Sequence, residues 1–362
     1  MRVPRSWALP SVAALAILVT GVVTSGLLAV THQNVLSVYE TLVMGSIGSE
    51  AGLVGTLTYA TPLMFTGLAA AVAFRARVWN IGGDGQLFMG AFGTAWVALS
   101  FPHSAPVVLL PAVVLAGFVA GSLWALVPAM LRIALGVNEI MTSLMLNYVA
   151  SLWVAYLVFG PWKDPTMGGW PYSPQFSPGA WLPSWENTGV NIMLLVAVTA
   201  APLLAWALTH TRWGYEISII GAGQPIARYA GMTLARNVVS VMLISGGLAG
   251  FAGVGEVAGV AHRLYELDTQ GYGYTGIMVA WLGALRPASV VAMGLLFGAL
   301  LQGGVALQMA GLSPSIVQMF QGTVVLVTLG CLTVARQRAG KPRLRPVDVL
   351  AQESPPAEQP VQ

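Results

Sequence analysis

Charge is what this chain has least of. Asp, Glu, Lys and Arg make up 8% of its 362 residues, against roughly a quarter in soluble domains. With 56% hydrophobic residues and a mean hydropathy of +0.74, its solvent is lipid. Backbone groups in lipid must be satisfied internally, which leaves helices or a closed barrel. The apolar runs are continuous over roughly 20 residues rather than alternating, so they are helices. Cysteine is nearly absent: Cys331 alone excludes a disulfide framework or a thiolate metal site within the chain. His32, His103, His210 and His262 are scattered without ligand spacing, so no metal site is expected. No G-x-x-x-x-G-K-[ST] motif is present, and Gly221-Ala222-Gly223 fails the dinucleotide fingerprint because Ile226 stands where the third glycine belongs. No Ser/His/Asp set has nucleophile context either. These absences predict a chain with no catalytic residue and no cofactor of its own.

The sequence pI of 9.1 does not indicate nucleic acid, because the basic residues follow topology rather than forming a patch. The run from Ala8 to Val30, after Arg2 and Arg5, is too long for a signal-peptide core and lacks a small-residue cleavage site, so it reads as a retained span. Further spans are expected over about 52–74, 78–101, 106–131, 138–159, 190–209, 237–261, 288–310 and 314–335. A short helix near Val35–Met44 lies at the interface. Tyr274 to Leu285 is too short for a full span and reads as broken or re-entrant, allowed only inside the bundle. The fold class is therefore an all-α polytopic membrane bundle of about ten segments with both termini cytoplasmic. Of the 16 Lys and Arg residues, only Lys163 and Arg263 then fall outside, as the positive-inside rule requires. Residues 1–339 form the membrane domain, and 340–362 are too polar and Pro-rich to fold alone.

Two long polar interruptions remain. The outer loop, about 160–189, carries Trp162, Trp170, Trp181 and Trp185 among six prolines. It reads either as an aromatic belt or as a platform for an external partner. The cytoplasmic stretch 209–237 holds His210, Arg212, Glu216, Arg228 and Arg236 around a short helix, Gln224 to Tyr229. Pro225 suits its first turn and Gly231 its stop. This hairpin reads as a docking surface or as an ordinary loop.

Ionisable groups within the membrane are functional suspects, and here they are Asp84, Glu139 and Glu256. Asp84 sits in Asn80-Ile81-Gly82-Gly83-Asp84-Gly85-Gln86, too glycine-rich and polar for a lipid-facing helix. It must be a helix break packed against protein, with Asn80, Asp84 and Gln86 lining a polar path. Glu139 lies in Gly136-Val137-Asn138-Glu139, ahead of Met141 to Tyr148. Asn138 and Thr142 share a helical face from which Asn147 is displaced. Snorkelling toward the helix ends is the plainer account of Asp84 and Glu139. The pairs Gly117/Gly121, Gly246/Gly250, Gly255/Gly259 and Gly294/Gly298 let helix backbones approach closely.

The motifs Asn80 to Gln86, Gly136 to Tyr148 and Ala227-Arg228-Tyr229-Ala230-Gly231 resemble the signatures of ABC importer permeases. The similarity is to the simple-sugar and nucleoside branch, related to ribose and branched-chain amino-acid permeases, over about residues 50–335. Asp84 stands where that family usually has Glu, keeping the charge. The resemblance implies that the hairpin (Gly221, Gln224, Ala227, Arg228, Ala230 and Gly231) is a coupling helix docking into a cytoplasmic ATPase, where ATP is hydrolysed. It also implies a second permease subunit, a paralogue of this one, and an extracytoplasmic substrate-binding lipoprotein, all at the inner membrane of a prokaryote. Cargo would be nucleosides or simple sugars, passing Asn80, Asp84, Gln86, Asn138, Glu139, Thr142 and Asn147. A secondary transporter coupling ions through Asp84, Glu139 or Glu256 is the rival reading.

Overall fold

The computed structural model describes residues 18–26, 28–29, 34–185, 190–266 and 271–339. The start of the first expected span and the whole 340–362 tail lie outside the described residues. By internal contacts the chain divides into two units, one of residues 32–321 and one of residues 1–31 with 322–362. In the second unit the described residues 18–26, 28–29 and 322–339 are helical.

The larger unit is a helical bundle, and no β-strand forms among its described residues. In chain order its helices are α1 (Val35–Ile47), α2 (Glu50–Arg75), α3 (Gly83–Ser100), α4 (Pro106–Leu135), α5 (Glu139–Phe159), α6 (Met193–His210), α7 (Arg212–Ala222), α8 (Gln224–Tyr229), α9 (Leu234–Val254), α10 (Tyr272–Leu282) and α11 (Pro287–Met309); α12 (Pro314–Ala339) starts in this unit and continues into the other. Among the described residues, six helices are long and apolar enough to cross a membrane: α2, α4, α5, α6, α11, and α9 with its extension to Val260.

Local chemistry sets the boundaries. Ser49 caps α2 by accepting from the Gly52 amide at 3.0 Å. Pro106 opens α4, and Gly136, at φ +66°, closes it in the left-handed conformation that glycine adopts without strain. Asn138 then caps α5, its Oδ1 accepting from the Ile140 amide at 2.9 Å. The expected helix over 78–101 starts later, at Gly83, because residues 76–82 form a non-helical linker.

Burial distinguishes centre from periphery. The most hydropathic window of α2 is 83% buried and that of α9 with its extension 72%, against 28% for α4, 33% for α5 and 22% for α6. The centre is knit by glycines: a side chain on Gly90 or Gly121 would meet the backbone of Gly250, and one on Gly246 that of Gly121. On the other side a side chain on Gly294 or Gly298 would meet α2 at Met64 or Ala60. Such approach gains dispersion contacts that larger residues would forfeit. Near the end of α9 the helix widens to a π turn, Gly255–Val260.

Candidate functional site

The polar linker before α3 sits in the packed centre. Asn80, Asp84 and Gln86 are 4%, 3% and 1% exposed, although they are among the most polar residues in the bundle. Burial at this cost requires partners, and the partners come from four helices. Asn80 Nδ2 donates to Gln86 Oε1 at 3.0 Å and to Ser245 Oγ of α9 at 2.9 Å, while Gln86 Nε2 donates back to Asn80 Oδ1 at 2.8 Å. The Ser245 hydroxyl donates in turn to the Ala69 carbonyl of α2 at 2.8 Å. From α5, Ser143 Oγ accepts from the Ile81 amide, and Asn147 accepts from the Gly85 amide at 2.8 Å while donating to the Ile81 carbonyl at 2.9 Å.

The same cluster fixes the short helix α10. Asp84 Oδ1 accepts the Gly273 amide at 2.8 Å, and Asn147 Nδ2 donates to the Tyr274 hydroxyl at 3.1 Å. Gly273 lies so close to the Asp84 backbone that any side chain there would collide. Thr66 Oγ1 of α2 adds a bond to the Tyr272 carbonyl at 3.0 Å. Eleven residues span about 16 Å, half a bilayer core, and the chain turns back through Ala284 and Leu285, both at positive φ. A half-length helix with its first turn held inside protein is the arrangement anticipated for Tyr274 to Leu285.

Of the sequence-derived path residues, the structure brings together Asn80, Asp84, Gln86 and Asn147. Asn138 and Thr142 stand apart: Asn138 is an exposed helix cap, and the Thr142 hydroxyl bonds within its own helix to the Asn138 carbonyl. The inward face of α5 is that of Ser143 and Asn147, one turn apart, not that of Asn138 and Thr142. Glu139 pairs with Arg132 across the turn between α4 and α5 and also accepts from the Trp79 amide at 3.4 Å. Ser143, Ser245 and Gly273 are members that sequence reasoning missed; their partners lie 62 to 189 residues away in the chain.

The 209–237 stretch holds more structure than one short helix. Thr211 caps α7, whose buried residues Gly214, Ile217 and Ile220 recur at helical spacing. Glu216 accepts from Asn237 Nδ2 at 2.7 Å, and Trp213 Nε1 donates to Ser240 Oγ at 2.9 Å, tying α7 to α9. Gly221 is a packing glycine, its Cα facing the Arg75 carbonyl. Beyond Gly223, α8 projects Ile226, Arg228, Tyr229 and Ala230 outward, Tyr229 being 97% exposed, and ends at Gly231 with φ +71°. Gln224 opens α8. Ala227 is the exception: at 0% exposure it faces its own chain, so Ala227 and Ala230 do not form one docking face.

The long loop after α5 is strapped to the chain beyond α9. Ser173, Phe176 and Leu182 donate their amides to the carbonyls of Leu264, His262 and Ala258 at 2.8, 2.8 and 2.9 Å. Trp181 stacks on His262 at 4.2 Å, and Trp162 stacks on Phe92 of α3 at 5.7 Å; Trp170 and Trp185 remain exposed. The four indoles thus divide into two that anchor the loop and two that face outward. Under the strap, Asn191 Nδ2 donates to the Gly255 carbonyl at 3.3 Å, wedged where the π turn opens the helical ladder. Glu256, the third intramembrane acid, is buried in that turn, away from the Asn80 cluster.

A family model described as branched-chain amino acid transport system / permease component matches residues 52–329. The chain is 35% identical over 343 residues to the glucose ABC transporter permease protein TsgB13 of Haloferax volcanii, covering 91% of this chain and 89% of that one. It is 30% identical over 299 residues to the nucleoside ABC transporter permease protein NupB of Lactococcus lactis subsp. cremoris, covering 79% and 81%. It is also 30% identical over 277 residues to the guanosine ABC transporter permease protein NupP of Bacillus subtilis, covering 76% and 79%. Helical architecture, a buried polar clamp and these similarities agree: the chain belongs to the branched-chain amino acid transport permease family and is an ABC importer permease of its sugar and nucleoside branch.

Proposed function

We propose that this chain is the membrane subunit through which an ATP-driven importer passes neutral polyhydroxylated cargo, a nucleoside or a simple sugar. The observation that carries the cargo class is the inventory of buried polar groups. Among the described residues these are hydroxyls, amides and the two carboxylates Asp84 and Glu256, with no buried Lys, Arg or His. A phosphorylated or carboxylate cargo would find no counter-charge in such an interior. A ribose or hexose brings its own donors and acceptors, and the relatives named for glucose, nucleoside and guanosine transport are consistent with that chemistry.

In this reading the termini and the α7–α8 hairpin are cytoplasmic, with about ten segments in the inner membrane of a prokaryote. The exposed side of α8 at Ile226, Tyr229 and Ala230 meets the ATPase, which hydrolyses ATP; this chain is not itself an enzyme. A paralogous permease completes the membrane pair, and an extracytoplasmic binding lipoprotein delivers cargo to the side that carries Trp170 and Trp185. The Asn80–Asp84–Asn147 clamp joins α2, α3, α5, α9 and α10 into one body that moves as a unit when the hairpins are drawn together. Ion-coupled transport through Glu139 loses its support, because that carboxylate is committed to Arg132.

Reconstitution of the chain with its ATPase and binding protein, followed by uptake of labelled nucleosides and sugars, tests the proposal. ATP-dependent accumulation of one of these classes is expected. Uptake that persists without ATP and collapses with an uncoupler would overturn it.

A further inference from the structure

A cleft between the end of α3 and the loop after α5 takes no part in the clamp or the hairpin. It holds about 540 Å³ and is lined by residues that include Trp96, Leu99, Pro102, Trp162, Lys163 and Ser177. That volume lies within the range of small-ligand sites. Three independent features of its wall point to one chemistry.

The first is a stack of rings. Trp96 lies parallel to Phe92 at 6.2 Å, and Phe92 parallel to Trp162 at 5.7 Å, so two indoles are braced through one phenyl ring across α3 and the loop. Trp96 is nonetheless 59% exposed near the end of α3, and exposed indoles favour the lipid-headgroup zone. The second is an unspent cation. Among the described residues the Lys163 ammonium has no carboxylate within ion-pair distance. Its neighbour Asp164 is engaged instead by the Thr166 amide and hydroxyl at 2.8 and 2.6 Å. The third is an orphan. Ser177 Oγ is shielded from solvent and has no hydrogen-bond partner, an uncommon condition for a buried hydroxyl.

We propose that this cleft binds the phosphodiester headgroup of an anionic phospholipid. Lys163 meets the phosphate, the Ser177 hydroxyl donates to a phosphate or ester oxygen, and the acyl chains descend the Trp96 and Leu99 face of α3. A neutral sugar could stack on the indoles but would leave Lys163 unpaired. An acidic protein segment could pair with Lys163 but would leave the exposed indole uncovered. A zwitterionic lipid carries its own ammonium, which competes with Lys163 for the phosphate, so an anionic headgroup is favoured.

The full chain, purified with the subunits that accompany it, is mixed with phosphatidylglycerol or phosphatidylcholine and examined by native mass spectrometry. Phosphatidylglycerol adducts should survive activation that strips phosphatidylcholine. Lys163→Gln should lower phosphatidylglycerol retention about five-fold, the loss of one ammonium–headgroup contact. Lys163→Arg should retain it, and Arg263→Gln, the same charge loss elsewhere at this end, should leave it unchanged. Thermal unfolding in phosphatidylcholine nanodiscs checks that each variant is folded. Ser177→Ala, which removes only the orphan hydroxyl, gives a second reading with a smaller loss. Equal retention of the two lipids, or no effect of Lys163→Gln in a folded variant, overturns the proposal. So does displacement of the lipid by inorganic phosphate at matched concentration, or protection of Lys163 from acylation by the binding protein but not by lipid.

Discussion

Asn80 and Gln86 bind each other amide to amide, with Gln86 Nε2 donating at 2.8 Å and Asn80 Nδ2 at 3.0 Å, six residues apart and both buried. This pairing turns a polar linker into a closed unit that hydrocarbon can surround. Removing both partners should therefore cost less than the two single removals added together. Asn80→Leu or Gln86→Leu alone orphans a buried amide and should cost about 1–3 kcal/mol. The double variant should cost less than the sum of the singles. Thermal unfolding of the four proteins in one detergent closes the cycle, and strict additivity would deny the coupling.

Asp84 pins the first turn of α10 through the Gly273 amide. Asp84→Ala leaves that amide without an acceptor and should abolish uptake while membrane insertion persists. Asp84→Asn keeps an oxygen in place and should retain part of the activity. Initial uptake rates at matched expression decide it; equal loss in both variants would assign the role to charge instead of the hydrogen bond.

On the hairpin, the exposed side of α8 should carry ATPase docking. Tyr229→Ala or Ile226→Ala should weaken assembly about ten-fold or more, as central apolar interface residues do. A cysteine at 229 should cross-link to the ATPase, while one at 227 should resist labelling even in the free permease, because Ala227 is buried. Ready labelling at 227 would show that α8 sits otherwise.

His262 lies beyond the span of α9, stacked on Trp181. Burial, foremost, holds its pKa below the usual 6.5, with Arg263 acting in the same direction against the Ala258 hydrogen bond. The folded loop thus prefers the neutral ring. Its contribution to stability is whole above the unfolded value and is lost as pH falls through the lower folded value. Protease cleavage within 160–185 should therefore rise as pH drops from 7 to 5. His262→Phe, which keeps the ring stack, should flatten that dependence.

Much of the architecture was legible because lipid imposes simple rules. The helical runs, the packing glycines Gly117, Gly121, Gly246 and Gly250, and the need for Asn80 to Gln86 to be wrapped in protein all followed from local composition. The half-length of α10 was legible for the same reason. Assigning the working face of α5 was harder. Asn138 and Thr142 looked as polar as Ser143 and Asn147, and only the position of α3 decides which pair turns inward. Helix α7 went unread because Arg212, Glu216 and its glycines resemble a loop until Ile217 and Ile220 find α9 and the end of α2. The strap from Ser173, Phe176 and Leu182 to residues 258–264 uses backbone atoms, which carry no signature in the side-chain sequence.

The π turn at Gly255–Val260 has a bearing on how the chain tolerates changes in length. A π turn accommodates one residue more than an α-helix would over the same rise, as a single insertion does. Deleting Ala258 would let the ladder close as a regular helix, an improvement by local hydrogen bonding alone. Because the extra residue adds no rise, the chain beyond would keep nearly the same phase, and His262 and Leu264 would still reach Phe176 and Ser173. Asn191 would lose the carbonyl it fills. The widened turn is thus a built-in opening that leaves the Gly255 carbonyl free for Asn191, and a helix closed by the deletion would give up that tie to the chain entering α6.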